Sequence, residues 1–454
     1  MANAWLAGSL DSDGSSEPST PSSWWLQRAG GSRRSRVECF FLVVTLVAML
    51  GCLPICVYRA VNDTGGTDFP EFYEGGAFLL ETGQRAEGSM ASYYLPSVEV
   101  MWAALALMPL GVASAVWYTA GCVAWVACLL ATDRYLLRDV FERDGRPIPR
   151  VLQVAGLSTA GLVTLPLLLD SLCLGAFHVF MLWWMLEGLG RVSRGRDLSG
   201  GLFLGLAIWL KLLPLLGVGY LVLKRKWIAA IAAVACFVVI DAGLSIPAYG
   251  GVRNAWNEHV EWFEDDVLDG RAGALLKRDK GVDEQRVTNQ SLPAVLRRIL
   301  TKLGYPSDSY RDYAALGNLT ARQLRMTYFG CVGLILVLGA WYCRLPGSRI
   351  TESRWATELA LLILATLWLS PIAPSYHPIV ALPALAVVCT RYAFRPLGWF
   401  VLTLWILAMM LHAVPFARAF GHVLWTTMII GIVLVVSQIA SPDRLEEKDV
   451  AAKS

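Results

Sequence analysis

Charge is scarce in this chain. Asp, Glu, Lys and Arg together make 17% of its 454 residues, where soluble globular proteins carry about 25%. So little charge cannot clothe a large solvated surface, and a soluble fold is excluded. Neither sign dominates, with a formal net charge of +3. No basic stripe interleaves with aromatics, which removes nucleic acid as a partner. Cysteine occurs 10 times but never as a pair within a loop. Most of it falls inside apolar runs, at Cys39, Cys52, Cys56, Cys122, Cys128, Cys236, Cys331 and Cys389. Neither a zinc site nor a disulfide framework is indicated, and these side chains read as small buried hydrophobes. HExxH, a P-loop and G-x-S-x-G are all missing. Acidic pairs such as Asp265-Asp266 read as solvated loop rather than as metal ligands. No internal repeat of fixed period is visible.

Long hydrophobic runs are what the chain has. Hydrophobic residues make 56% of it, and its mean hydropathy is +0.50. The runs approach the ~20 residues that cross a bilayer as a helix. They predict an all-α, polytopic transmembrane helical bundle of about twelve spans: 38–58, 94–110, 112–131, 151–169, 172–189, 200–222, 227–246, 324–343, 355–371, 377–393, 398–416 and 420–439. The 18 Trp suit interfacial belts. Residues 1–36 are rich in Ser, Gly and Pro and end basic; they read as a disordered cytoplasmic tail. Residues 37–440 form the membrane domain, and 441–454 a second cytoplasmic tail. No small-residue cleavage site follows the first span, so it reads as an anchor rather than a signal peptide.

With the basic tail inside, the loops 59–93 and 247–323 are the two long external ones. Positive-inside bias supports this at Lys224-Arg225-Lys226, from Arg344 to Arg354, and at Arg391 and Arg395. Two basic loops conflict with it: Arg134 to Arg150 and Arg191 to Arg196 would both lie outside. An alternative makes 94–131 one crossing plus a re-entrant piece, and 200–222 a hairpin broken at Pro214. Either way the two long loops share a face.

The stretch Thr67-Asp68-Phe69-Pro70-Glu71-Phe72-Tyr73-Glu74-Gly75-Gly76 opens the first long loop. Asp68 there reads as a general base for an incoming hydroxyl, or as the cap of a helix starting near Pro70; the two are compatible. Tyr73, Tyr94 and Glu99 read as walls of the same cavity, with an interfacial belt as the plainer reading of the tyrosines. Lys211 lies deep in an apolar run, three residues before Pro214. It can attract a phosphate, snorkel, or pair with a buried carboxylate. Asn289-Gln290-Ser291-Leu292, followed by Arg297, closes the second loop; Asn289 and Gln290 read as further cavity lining, and Arg can grip phosphate through its planar fork. His377 ends the rigid run Ser370-Pro371-Ile372-Ala373-Pro374-Ser375-Tyr376 on the same face.

In this order the segments resemble the GT-C superfamily of membrane glycosyltransferases, and within it family 87 (GT87), the polyprenyl-phosphate-mannose-dependent mannosyltransferases. The resemblance rests on Asp68-Phe69 with Phe72-Tyr73, Ala77, Leu79-Leu80 and Gly83. It continues at Tyr93-Tyr94 with Pro96, Met108-Pro109-Leu110, Lys211-Leu212-Leu213-Pro214 with Arg225-Lys226-Trp227, Asn289 to Leu292, and Ser370-Pro371 with His377. Three positions depart from it. Ser97 stands where a second proline is usual, Gly175-Ala176-Phe177-His178 where Gly-Gln is usual, and His377 where two adjacent histidines are usual.

The resemblance implies a hexose, mannose, carried on a polyprenyl phosphate at the outer face and moved to a lipid or glycan acceptor by one inverting displacement. It implies no cofactor, no metal and no nucleotide sugar. Asp68 would be the base, and Arg297, Lys211 and His377 would hold the leaving phosphate. The setting would be a bacterial inner membrane with the site facing outside. A lipid or solute transporter, broken at Lys211 to Pro214, is the non-enzymatic alternative. A GT-C-like enzyme using another lipid-linked sugar is the other.

Overall fold

A computed structural model describes the chain apart from residues 1–39, 41, 42, 46, 63–67, 87–93, 139, 141, 144, 145, 265–287, 302–314 and 441–454. The two tail readings, Tyr93 and most of the second long loop's charged stretch lie outside the described residues. In chain order the helices begin with α1 (Val43–Asn62), α2 (Phe69–Thr82), α3 (Pro96–Ala106) and α4 (Leu110–Thr132). They continue with α5 (Arg150–Cys173), α6 (His178–Ser193), α7 (Asp197–Leu210), α8 (Leu215–Leu223), α9 (Trp227–Ala248) and α10 (Val252–Trp262). The last are α11 (Leu292–Leu300), α12 (Ala321–Tyr342), α13 (Glu352–Trp368), α14 (Leu382–Arg391), α15 (Pro396–Leu411), α16 (Pro415–Ala419) and α17 (His422–Ala440). The only strands among the described residues are a two-residue antiparallel ladder, Glu142–Arg143 on Arg146–Pro147. Among the described residues six helices are long and apolar enough to cross a membrane: α1, α4, α5, α9, α12 and α17. Asp197–Leu210, His377–Arg391 and Pro396–Leu411 are shorter apolar helices.

Ion pairs mark one end of the bundle. Asp133, just past α4, pairs with Arg150 at the start of α5 and with Arg138. Glu187 on α6 pairs with Arg191 at 2.9 Å, and Asp197 on α7 with Lys226 at 3.2 Å. Lys224, fully buried, meets Glu358 at 2.6 Å and donates to the carbonyls of Cys343 and Leu345. Arg391 donates to Gln438, whose amide reaches Ser353. Each buried charge here has its partner, as burial demands. The other end carries Asp68. There the start of α2 presses on the turn before α6, and Ser375 donates to Asp170 at 3.0 Å. α5 connects the two ends: its 24 residues rise about 36 Å.

This arrangement corrects the alternating twelve-span order, which put Arg134 to Arg150 and Arg191 to Arg196 at the Asp68 end. Both lie at the opposite end. α3 has only 11 residues, about 16 Å, too short for a ~30 Å hydrocarbon core. It packs on α2, where Gly76 touches the Trp102 backbone, so 94–132 contains one helix long enough to cross, α4. The stretch 200–222 also doubles back. α7 and α8 begin and finish at the ion-paired end, turning at Lys211 to Pro214, where Lys211 is extended at φ −158° and ψ 131°. α7 fits against α6 and α9 through glycine. A Cβ on Gly201 or Gly205 would meet the Ala229 or Ala233 carbonyl oxygen at 2.4 or 2.6 Å. Small residues let membrane helices approach this closely.

The expectation of cysteines without a disulfide is also corrected. Cys56 near the end of α1 is bonded to Cys173 at the end of α5. The pair spans 117 residues of sequence, so no loop spacing announces it. Maleimide labelling of the denatured protein is expected to modify two fewer of its 10 cysteines before reduction than after. Full labelling without reductant would show that the bond does not form.

Candidate active site

Asp68 immediately precedes α2, with Pro70 and Glu71 in the first helical turn. It occupies the cap position, yet its side chain makes no capping hydrogen bond. Its carboxylate lines a cavity of about 1380 Å³ instead. An aromatic cluster holds this corner. Phe72 stacks on Trp102 at 4.8 Å and 4°, and Phe177 packs edge-on to Tyr94 at 4.8 Å. Gly175 sets the register between α2 and α6: its φ is +78°, and a Cβ there would lie 3.2 Å from the Phe69 Cα. Only glycine adopts that backbone freely. Asp68 and His178 therefore enter the cavity from adjoining elements.

A nitrogen cluster adjoins the same cavity. Lys211, at the break after α7, places its Nζ 2.8 Å from Nε2 of His178. The His178 ring lies 4.0 Å from that of His377 and 5.2 Å from Tyr376, centroid to centroid. His178 and His377 are 2% and 0% exposed. Lys211, His178 and Tyr376 line the cavity; His377 stands behind them.

From this polar mouth the cavity continues as an apolar trough between α8, α12, α13 and α17. Leu216, Leu338, Leu362, Met428 and Val436 are among its walls, and it reaches Tyr342 and Cys343 near the ion-paired end. α12 stands away from the bundle, with 6% of its apolar window buried, and so leaves the trough open along one side.

The other expected wall residues divide. Tyr94 lines the cavity. Tyr73, Glu99, Asn289 and Gln290 are not among its lining residues; they brace what is. The Tyr73 hydroxyl donates to the Met108 carbonyl at 2.8 Å, tying α2 to the α3–α4 turn. Glu99, fully buried, accepts from the Ala86 N–H and faces Arg85 at 3.5 Å. Asn289 Oδ1 accepts from the Ala373 N–H at 3.0 Å, and the Gln290 N–H donates to the Ala373 carbonyl at 2.7 Å. Together they fix the wall segment 370–374. Arg297 is buried on α11, has a buried Nη1 without a hydrogen-bond partner, and does not line the cavity. Its neighbour Arg298 is structural, donating to the carbonyls of Asn289, Arg418 and Ala419.

Sequence reasoning gave His178 no role, although a histidine opening an apolar run was a signal. It also missed a polar chain beside the mouth. Trp209 donates to Ser97, Ser97 to Asp241, and His259 on α10 meets Asp241 at 2.9 Å. Burial opposes charge on His259, but its contacts with Asp241 and the Ala255 carbonyl outweigh this and hold its pKa above the ordinary value. Among the described residues no group of three or more His, Cys, Asp or Glu can hold a metal ion.

The family model described as Glycosyltransferase family 87 covers residues 93–371. No curated protein and no solved structure matches the chain.

Proposed function

This chain belongs to glycosyltransferase family 87 and is a membrane glycosyltransferase; from that premise we propose that it moves a hexose, mannose, from a polyprenyl-phosphate carrier to an acceptor hydroxyl at the outer face of the membrane. One observation carries the reading: a carboxylate, Asp68, and an ammonium, Lys211, share the mouth of a cavity whose remainder is an apolar trough. A long isoprenoid fits the trough, and its phosphate then rests at the mouth. A nucleotide sugar has no use for so deep an apolar channel.

The reaction follows from the two charges. Asp68 takes the proton of the acceptor hydroxyl. The freed oxygen forms a bond to the anomeric carbon as the bond from that carbon to the phosphate oxygen breaks. Attack from the side opposite the leaving group inverts the anomeric centre. The phosphate leaves with its electron pair and needs positive charge rather than a proton. Lys211 supplies that charge, with His377 behind it. Arg297, expected from the resemblance to hold the phosphate as well, is buried on α11 outside the cavity lining and is assigned no contact with it.

Two observations support the outward orientation. Disulfides persist on oxidising sides of membranes, and Cys56–Cys173 lies at the Asp68 end. Basic residues gather on the cytoplasmic side, and the ion-paired end holds Arg134, Arg150, Arg191, Lys224 and Lys226. The setting we propose is the plasma membrane of a bacterium, as the family resemblance implies.

The test uses purified protein in liposomes with membrane-extracted acceptors and labelled sugar. Polyprenyl-phosphate mannose is expected to label a lipid or glycan product, and GDP-mannose to label none. Labelling from the nucleotide sugar alone would overturn the donor assignment.

A further inference from the structure

We propose that His178 is the positioning residue for Lys211, and that the two act as one unit in holding the phosphate of the lipid donor. This rests on the donor reading above.

An ammonium only donates hydrogen bonds. Nε2 of His178, 2.8 Å from Lys211 Nζ, is therefore the ring's acceptor nitrogen. The imidazole is neutral, with its proton on Nδ1. That fixes two things. The Lys211 ammonium is oriented toward the ring at the cavity wall. The ring adds no second positive charge beside the ammonium.

The surroundings agree. His178 is the first residue of α6, so the positive end of that helix faces the same place. The rings of Tyr376 and His377 pack edge-on against the imidazole and leave it little room to turn. Lys211 lies at the C-terminal end of α7, the end that favours a cation. A neutral ring held against the ammonium gives direction to a compact charge on a flexible stem.

The experiment measures binding of a polyprenyl monophosphate and of the uncharged polyprenol, using the full chain in nanodiscs. Wild type is compared with His178→Leu, His178→Gln, Lys211→Met and the Lys211→Met/His178→Leu double variant. Leucine has no acceptor for the ammonium, so the monophosphate should bind about tenfold more weakly, with polyprenol unchanged. Glutamine keeps an acceptor oxygen and should retain most of the affinity. The double variant should lose no more than Lys211→Met alone, because the histidine acts through the lysine. Unchanged monophosphate binding by His178→Leu overturns the proposal. Additive losses in the double variant, or equal losses in Leu and Gln, overturn it too. If wild type itself does not prefer the monophosphate to the alcohol, the donor reading fails instead, and this shows in wild type before any variant is compared.

Discussion

Asp68→Asn is expected to lower sugar transfer about 10²–10⁴-fold, the usual contribution of a general base, with expression and fold intact. Asn keeps the shape of the side chain but takes no proton at neutral pH. Loss of a helix cap would normally confuse such a variant, costing about 1 kcal/mol. That confusion is absent here, because the Asp68 side chain makes no cap hydrogen bond to α2. The neighbouring carboxylates provide controls. Glu71 and Glu74 are on α2, and Glu71 is exposed. Neither is among the residues that line the cavity, so Glu71→Gln should turn over at the wild-type rate. Rates are compared at saturating lipid donor, so that chemistry rather than binding is read. Near-normal turnover by purified Asp68→Asn protein would remove Asp68 as the base.

The residues proposed to bear the chemistry stood out in the sequence more than the path of the chain between them. Asp68 before Pro70, Lys211 before Pro214, and the prolines near His377 could each be read locally. A proline restricts the residue before it and breaks a helix wherever it stands. Membrane crossings were read from hydropathy, which does not report direction. α3 is as apolar as a true span, and only its 11-residue length and its packing on α2 show that it does not cross. The basic loop Arg134 to Arg150 already objected to the twelve-span order; its ion pairs with Asp133 resolve that objection. The disulfide was illegible for a different reason. Cys56 and Cys173 sit inside separate apolar runs, and only the docking of α1 on α5 brings them together. Tyr73, Asn289 and Gln290 lie near the mouth in sequence logic, but their hydrogen bonds go to backbone. They shape the cavity from behind it. His178 is the converse case: a polar residue that looked incidental until α7 delivered Lys211 to it.

Lys211→Met should be the second most damaging change at this site. Methionine approximates the lysine stem and remains at home among Leu210, Leu212 and Leu213. What it removes is the charge. In the proposed displacement the phosphate gains negative character as its bond to the sugar breaks, so the ammonium is worth most at the transition state. Removing one preorganised donor to a developing oxyanion typically lowers kcat about 10²–10³-fold. The ground-state donor is already an anion, so its affinity should fall as well, by about 1.5–3 kcal/mol for a charge-assisted hydrogen bond. Both kcat and KM should therefore worsen, which separates Lys211 from Asp68, whose loss acts on kcat. Lys211→Arg should recover binding better than turnover. Its charge is intact, but a planar guanidinium cannot occupy the compact ammonium position against His178. Steady-state kinetics with varied polyprenyl-phosphate sugar reads both parameters. If Lys211→Met turns over normally and binds donor as wild type does, the lysine is a snorkelling or structural cation, and the leaving phosphate must be stabilised elsewhere.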